Sequence, residues 1–352
     1  MAKVLRHIKA FQVIFLLLGM VLFFYVISTV GYRQIVDSIK LMGFGFVAVM
    51  AVSGVRHLLR SLAWLYCIEE DRRNLRIIDL FNVRLAGDAV RLLSFTGPFL
   101  GETSKAVLIR KRLPMVHGMS SIIIENLAYT IAVVFVVVSG LALLVANFAT
   151  RTSVKVMGGV LSICMVLAIL GVYYVISRRV KAFTKLGKWF ARKTDIQWFK
   201  DRTHNIGETE DKIHDFYERR GSALYLVLLL ELAANIVNVF EVYLILFFIG
   251  TDVTFLTAYI IEAMMKVVNI LFFFVPGQVG VMEGGNAILL KMLGMSLSAG
   301  VTLSLIEKIK VIFWAGYGLL VWMVAFRKTG ETVPEIKPIV VHELKPTEVL
   351  ND

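Results

Sequence analysis

Six stretches of this chain, 11–30, 43–66, 119–146, 154–176, 222–249 and 298–325, are each apolar over 20 or more residues. An α-helix rises about 1.5 Å per residue, so about 20 such residues cross a hydrocarbon layer about 30 Å thick. A soluble core does not call for runs of that length in series, and they define an all-α polytopic membrane protein. Composition agrees: 58% of residues are hydrophobic and 18% charged, where soluble domains carry about 45–50% and 25%. The N-terminal MAKVLRHIK precedes a run too long for a signal peptide, with no small-x-small cleavage site after it, and is read as leading into an uncleaved first span.

The net charge of +12 raises the question of nucleic acid, but its distribution answers otherwise. Lys and Arg gather before the first run, at Arg72-Arg73-Arg76, at Arg110-Lys111-Arg112, across 178–202 and at Arg327-Lys328. Cytoplasmic loops of membrane proteins collect such residues. All five clusters share one side only if 77–112 and 255–294 each enter and leave by the same face. The expected topology is therefore six full spans plus two re-entrant hairpins, about eight to ten membrane helices. The setting is the cell (inner or plasma) membrane, with both termini cytoplasmic.

Both hairpins carry a helix break. In the second, FFFVPGQVGVMEGG, Pro276 removes a backbone donor and Gly277 and Gly280 let the chain reverse without a Cβ clash. Gly97, Pro98 and Gly101 do the same in the first. A carboxylate follows each break, Glu102 and Glu283. Unwound backbone at membrane depth survives only where protein buries it or it lines a wet cavity. The restarting helices would aim their positive ends back at the breaks. Glu102 and Glu283 are thus expected to line one polar cavity.

An internal repeat supports that symmetry. Pro98 and Pro276 lie 178 positions apart. The same offset aligns Arg84, Asp88 and Arg91 with Glu262, Lys266 and Asn269, and Ser53, His57 and Arg60 with Glu231, Asn235 and Asn238. Each trio has i, i+4, i+7 spacing and so lies on one helix face. Beyond the breaks Glu102 matches Glu283, and Glu125 matches Glu307. The chain then divides into an N-terminal anchor span (1–30), a first membrane repeat (43–146, with hairpin 77–112) and a linking span (154–176). A basic cytoplasmic loop (177–221), a second repeat (222–325, with hairpin 255–294) and a flexible tail (327–352) follow. Opposite orientation of the two copies makes an inverted-topology repeat, a transporter design with its site at the repeat interface.

Charges inside apolar runs cost about 2.5–3.5 kcal/mol each at a helix centre, so they should pair or face water. The candidate substrate-binding residues are Arg60, Arg84, Asp88, Arg91, Glu102, Lys105, Glu125, Glu231, Glu262, Lys266, Glu283 and Glu307. Some pairs are foreseeable from spacing, Arg84 with Asp88 and Glu262 with Lys266, while Lys308 and Lys310 could snorkel. The first half is richer in cations and the second in carboxylates. A headgroup with a phosphate and an amine suits that asymmetry, the phosphate at Arg60 or Arg91 and the amine near Glu231 or Glu262.

Other signals are quiet. Lys181, Lys185, Lys188 and Arg192 share one face of an expected interfacial helix on anionic lipid. His204 and His214 have no ligand spacing. Cys67 and Cys164, the two cysteines, form neither a disulfide framework nor a zinc motif. No Walker, HExxH, GxSxG or dinucleotide fingerprint occurs. The expectation is no enzyme, no cofactor, no metal and no nucleic acid.

The stretches FTGPFLGETSKAVL (95–108) and VPGQVGVMEGGNAILLKMLGMS (275–296) resemble the two hairpins of the lysylphosphatidylglycerol synthase transmembrane family, a flippase-like membrane domain. Where that family often has arginine, this chain has Lys105, Asn126 and Lys308. The resemblance implies a domain that moves or handles lipid. The family's full synthases carry a further soluble domain, for which neither 177–221 nor the tail has room, so the synthase activity is not expected here. The leading expectation is a flippase for a phospholipid or aminoacylated phospholipid, with membrane lipids of charged headgroup as partners. The runner-up is a non-transporting partner or scaffold of an envelope-lipid or polysaccharide biosynthetic enzyme; an intramembrane transferase rests on the family name alone.

Overall fold

The computed structural model describes residues 40–68, 75–93, 98–110, 112–148, 211–212, 215–272 and 281–327, with single positions at 159, 163 and 167. The first span, the linking span apart from those single positions, the Lys181–Lys193 segment and the tail beyond Arg327 therefore lie outside the described residues. So do Gly97, Pro276, Gly277 and Gly280.

Regular structure among the described residues is α-helical. Eight longer helices follow in order: α1 (Phe44–Cys67), α2 (Ile77–Leu93), α3 (Pro98–Ile109), α4 (Met115–Phe148), α5 (Gly221–Phe248), α6 (Phe255–Leu271), α7 (Val281–Met292) and α8 (Leu297–Arg327). Of these, α1, α4 and α5 are long and apolar enough to cross a membrane. Their outer faces carry large apolar residues that a soluble protein would bury, among them Phe44, 94% exposed, and Tyr225, 75% exposed. Such a surface belongs against hydrocarbon.

Local chemistry sets the boundaries. Pro98 opens α3 at the one helical position where its missing N–H is no loss. The Thr254 side chain caps α6 by accepting from the Thr257 amide at 3.2 Å. Helices α5 and α7 both end on a left-handed glycine, Gly250 (φ 76°) and Gly294 (φ 85°). The amides of Thr251 and Met295 reach back to the carbonyls of Leu246 and Leu290 at 3.0 and 2.9 Å. Glycine takes that backbone conformation without a Cβ penalty.

The two sets of four helices match in some of their bounds. Shifting α2 by 178 positions reproduces both ends of α6, and α3 and α7 are 12 residues each. The most extensive packing joins α1 to α5, which run antiparallel. Gly45 meets Phe248 near one end, and Arg60 reaches Glu231 toward the other. Helix α8 packs on α2, and α4 on α6. Glycine allows the close approach each time: Gly318 lies against the Leu85 backbone and Gly140 against Ala263. Leu85 and Ala263 are themselves 178 positions apart.

Two apolar clusters flank a polar belt. One gathers Trp64, Leu80, Ile122 and Val227; the other gathers Val49, Val242, Ile261 and Leu303. On α1 the polar residues between them are Ser53, Arg56, His57, Arg60 and Ser61, and on α5 Glu231 and Asn235 lie in the matching place. The α8–α2 contact that holds one side of this belt should be intolerant of bulk. A Cβ at Gly318 would overlap the Leu85 carbonyl oxygen, whereas one at Gly316 meets nothing within 4 Å. Gly318→Val is expected to destabilise the purified protein by about 1–3 kcal/mol, the usual effect of overpacking. Gly316→Val should melt like wild type in the same detergent.

Candidate functional site

Buried charge concentrates where α1 crosses α5. The Arg60 guanidinium donates to Glu125 Oε1 at 2.8 Å, approaches Glu231 Oε2 at 3.2 Å through Nε, and stacks 3.9 Å from the centre of the Tyr129 ring. Arg84, on α2, donates to the same Glu125 oxygen at 2.7 Å and to the Arg60 carbonyl at 3.1 Å. Arg84, Glu125 and Glu231 are buried. Arg60 thus ties α4 to α5, and Glu125 is the acceptor both arginines share.

The foreseen Arg84–Asp88 pair does not form. Arg84 turns to Glu125, 41 residues away, and Asp88 faces Arg91 at 3.6 Å and Lys105 at 3.9 Å. Lys105 also holds Glu102 at 2.9 Å. This second group sits on the hairpin made by α2 and α3, whose backbones nearly touch. A Cβ on Gly101 would lie 2.9 Å from the Gly87 carbonyl oxygen and 2.7 Å from the Arg91 Cβ. Here the glycine at 101 serves close packing of the two hairpin arms.

The corresponding carboxylate of the second hairpin, Glu283, pairs with Lys308 on α8. Glu102 and Glu283 each therefore have a lysine of their own half. Glu262 pairs with Lys266 at 2.7 Å, as spacing suggested, and also accepts from Asn238. Glu307 is half-buried, with Lys310, Glu262, Glu241 and Arg56 as its electrostatic neighbours.

Sequence reasoning missed Glu241. It is fully buried on α5 and meets Arg56 at 3.9 Å and Lys310. Lys310 is buried against this carboxylate and does not snorkel. The signal was available: a carboxylate inside the apolar run 222–249, like Glu231. Tyr129, which covers Arg60, had no signal beyond its four-residue spacing from Glu125. His57 packs its ring 5.2 Å from Trp314, whose indole N–H donates to Ser53 at 3.0 Å.

Among the described residues, the belt holds eight basic side chains, Arg56, Arg60, Arg84, Arg91, Lys105, Lys266, Lys308 and Lys310. Against them stand eight acidic side chains, Asp88, Glu102, Glu125, Glu231, Glu241, Glu262, Glu283 and Glu307. In a low dielectric such balance is what lets so many charges be buried at all. Among the described residues, no group of three or more metal-ligating side chains comes together. A surface depression of about 390 Å³ lies away from the belt, between Pro114, His117 and Asp215.

Helices long and apolar enough to cross a membrane, around a charged interior, define a polytopic helical membrane domain. The family model described as the lysylphosphatidylglycerol synthase TM region matches residues 12–315, and the chain belongs to that family. No curated protein matches the chain. No solved structure matches it either.

Proposed function

We propose that this protein is a flippase-type transporter for a polar lipid whose headgroup carries a phosphate and an amine. The observation that carries the reading is the balanced charge belt buried where α1 meets α5. A belt of paired groups of both signs admits a ligand carrying both signs more readily than a lone ion, because each end can replace an existing partner. Acyl chains would stay in the hydrocarbon while the headgroup crosses the belt.

The inverted-topology repeat supports the same reading. Helices α1 and α5, equivalent at the 178 offset, run antiparallel, as halves related by an axis in the membrane plane require. The swapped contacts of α8 on α2 and α4 on α6 follow the same operator. Six full spans with two re-entrant hairpins place 66–76 and 177–221 with both termini on the cytoplasmic side, in the cell membrane. Labelling of single cysteines tests this. Residues 185–215 should react with an impermeant reagent only after lysis, and reaction in intact cells would exclude the inverted repeat.

No enzymatic step is part of this proposal. The extensive internal pairing of the belt is what favours the second reading, a membrane scaffold for a lipid or polysaccharide biosynthetic enzyme. Proteoliposomes decide between them. The transporter should move labelled phospholipid between leaflets in a headgroup-dependent way. Glu102→Gln and Glu283→Gln should each slow that movement about tenfold, the effect of about 1.4 kcal/mol, with insertion unchanged. Wild-type rates in both variants would remove the hairpin carboxylates from the pathway, and no flipping by wild type would favour the scaffold.

A further inference from the structure

Glu231, like Glu241, is a buried carboxylate of the belt whose oxygens are poorly satisfied. It has no exposed surface, yet among the described residues neither of its carboxylate oxygens accepts a hydrogen bond from an N–H or O–H. Arg60 Nε comes within 3.2 Å, in ion-pair contact but without hydrogen-bond alignment. Its carboxyl is held beside that of Glu125, the acceptor of both arginines, because the two sit on neighbouring nitrogens of the Arg60 guanidinium, at 3.2 and 2.8 Å. Two carboxyl groups in such contact make a hydrogen bond only if one of them carries a hydrogen.

The geometry points to Glu231 and Glu125 as a proton-binding pair that bridges the two halves of the molecule. The ligand is a single proton. A hydronium ion gives it up as water, an O–H bond forms on Glu231, and that O–H donates to the Glu125 carboxylate; no other bond changes. Glu125 stays ionised because Arg60 and Arg84 both donate to it. The groups facing the pair from the surrounding helices are Arg60 and the Cys67 thiol on α1, Arg84 on α2 and Lys105 on α3. Helix α4 adds Tyr129, over Arg60. Three cations against two carboxylates leave room for a shared proton only because Lys105 is already held by Asp88 and Glu102.

The proton has a mechanical consequence. Arg60–Glu231 is the ion pair that joins α1 to α5 at this level. With Glu231 neutral, the Arg60 fork is committed only to Glu125, and its Nε edge is available to a second anion. Proton loss restores the cross-half bridge. On the transport reading, a proton would therefore open Arg60 to a headgroup phosphate, and its release would close the site.

Infrared spectroscopy of the full-length protein in detergent tests the pair without any transported lipid, so it stands or falls apart from the flipping assay. At neutral pH wild type should show the carbonyl stretch of a protonated carboxylic acid, shifted in heavy water. Glu231→Gln should lose that band, and Glu307→Gln should keep it. If Glu231→Gln does not fold, Glu231→Asp must move the band. Absence of the band in wild type, or its survival unchanged in the Glu231 variants, would overturn the proposal.

Discussion

Glu125→Gln is expected to be the most damaging carboxylate substitution in the chain. Glu125 is the acceptor that Arg60 and Arg84 share, at 2.8 and 2.7 Å, and both carboxyl and Arg84 guanidinium are buried. Removing one side of a buried ionic contact leaves the other uncompensated, which typically costs about 3–5 kcal/mol. Gln keeps the shape and one acceptor oxygen, so the loss reports charge and not volume. Unfolding in detergent should show it directly. The double variant Glu125→Gln, Arg84→Met should recover a large part of the loss, because it removes the stranded guanidinium as well. Simple addition of the two single effects would mean that the residues do not act as a unit. Glu231→Gln, by contrast, should be mild, since that carboxyl accepts no aligned hydrogen bond to begin with.

The contrast between Arg84 and Glu262 indicates how far the sequence could be read. Both face a charge of opposite sign four residues on, and spacing alone predicts two local pairs. Glu262 takes its neighbour Lys266, but Arg84 takes Glu125 on another helix. Helical periodicity reports which residues share a face. It does not report which other helix that face meets. That depends on where helices approach closely, here at Gly318 on Leu85 and Gly140 on Ala263. Lys310 makes the same point: near the end of a charged triplet it reads as a snorkelling lysine, until α5 brings Glu241 against it.

What sequence did reveal was the frame. The start of α3 at Pro98, the matching bounds of α2 and α6, and the presence of carboxylates in apolar runs follow from local rules. These rules concern backbone donors, glycine freedom and the cost of buried charge, and they act within one segment. The partners of the charges are a property of the assembled bundle. Glu241 was overlooked for a different reason, since no second signal such as a repeat partner accompanied it.

Headgroup recognition gives the last expected result. Arg91 is half exposed at the end of α2, and its contact with Asp88 is a long one, 3.6 Å. Of the belt's arginines it is the most accessible, and its planar fork matches a phosphate. Arg91→Ala should weaken binding of every phospholipid alike, by about tenfold or more, the value of one charge-assisted hydrogen bond. The amine needs a carboxylate that it can reach. Glu283 is about one-fifth exposed and contacts Lys308, whereas Glu262 is buried between Lys266 and Asn238. An incoming amine can replace the Lys308 ammonium without opening a closed interior. Glu283→Gln should therefore lower binding of amine-bearing or aminoacylated lipids selectively, leaving lipids without an amine close to wild type. Glu262→Gln should show no such selectivity. Lipid pull-downs across a headgroup series decide it. Equal loss for all headgroups in Glu283→Gln would reduce that carboxylate to a brace for Lys308, and selective loss in Glu262→Gln would move the amine deeper, onto α6.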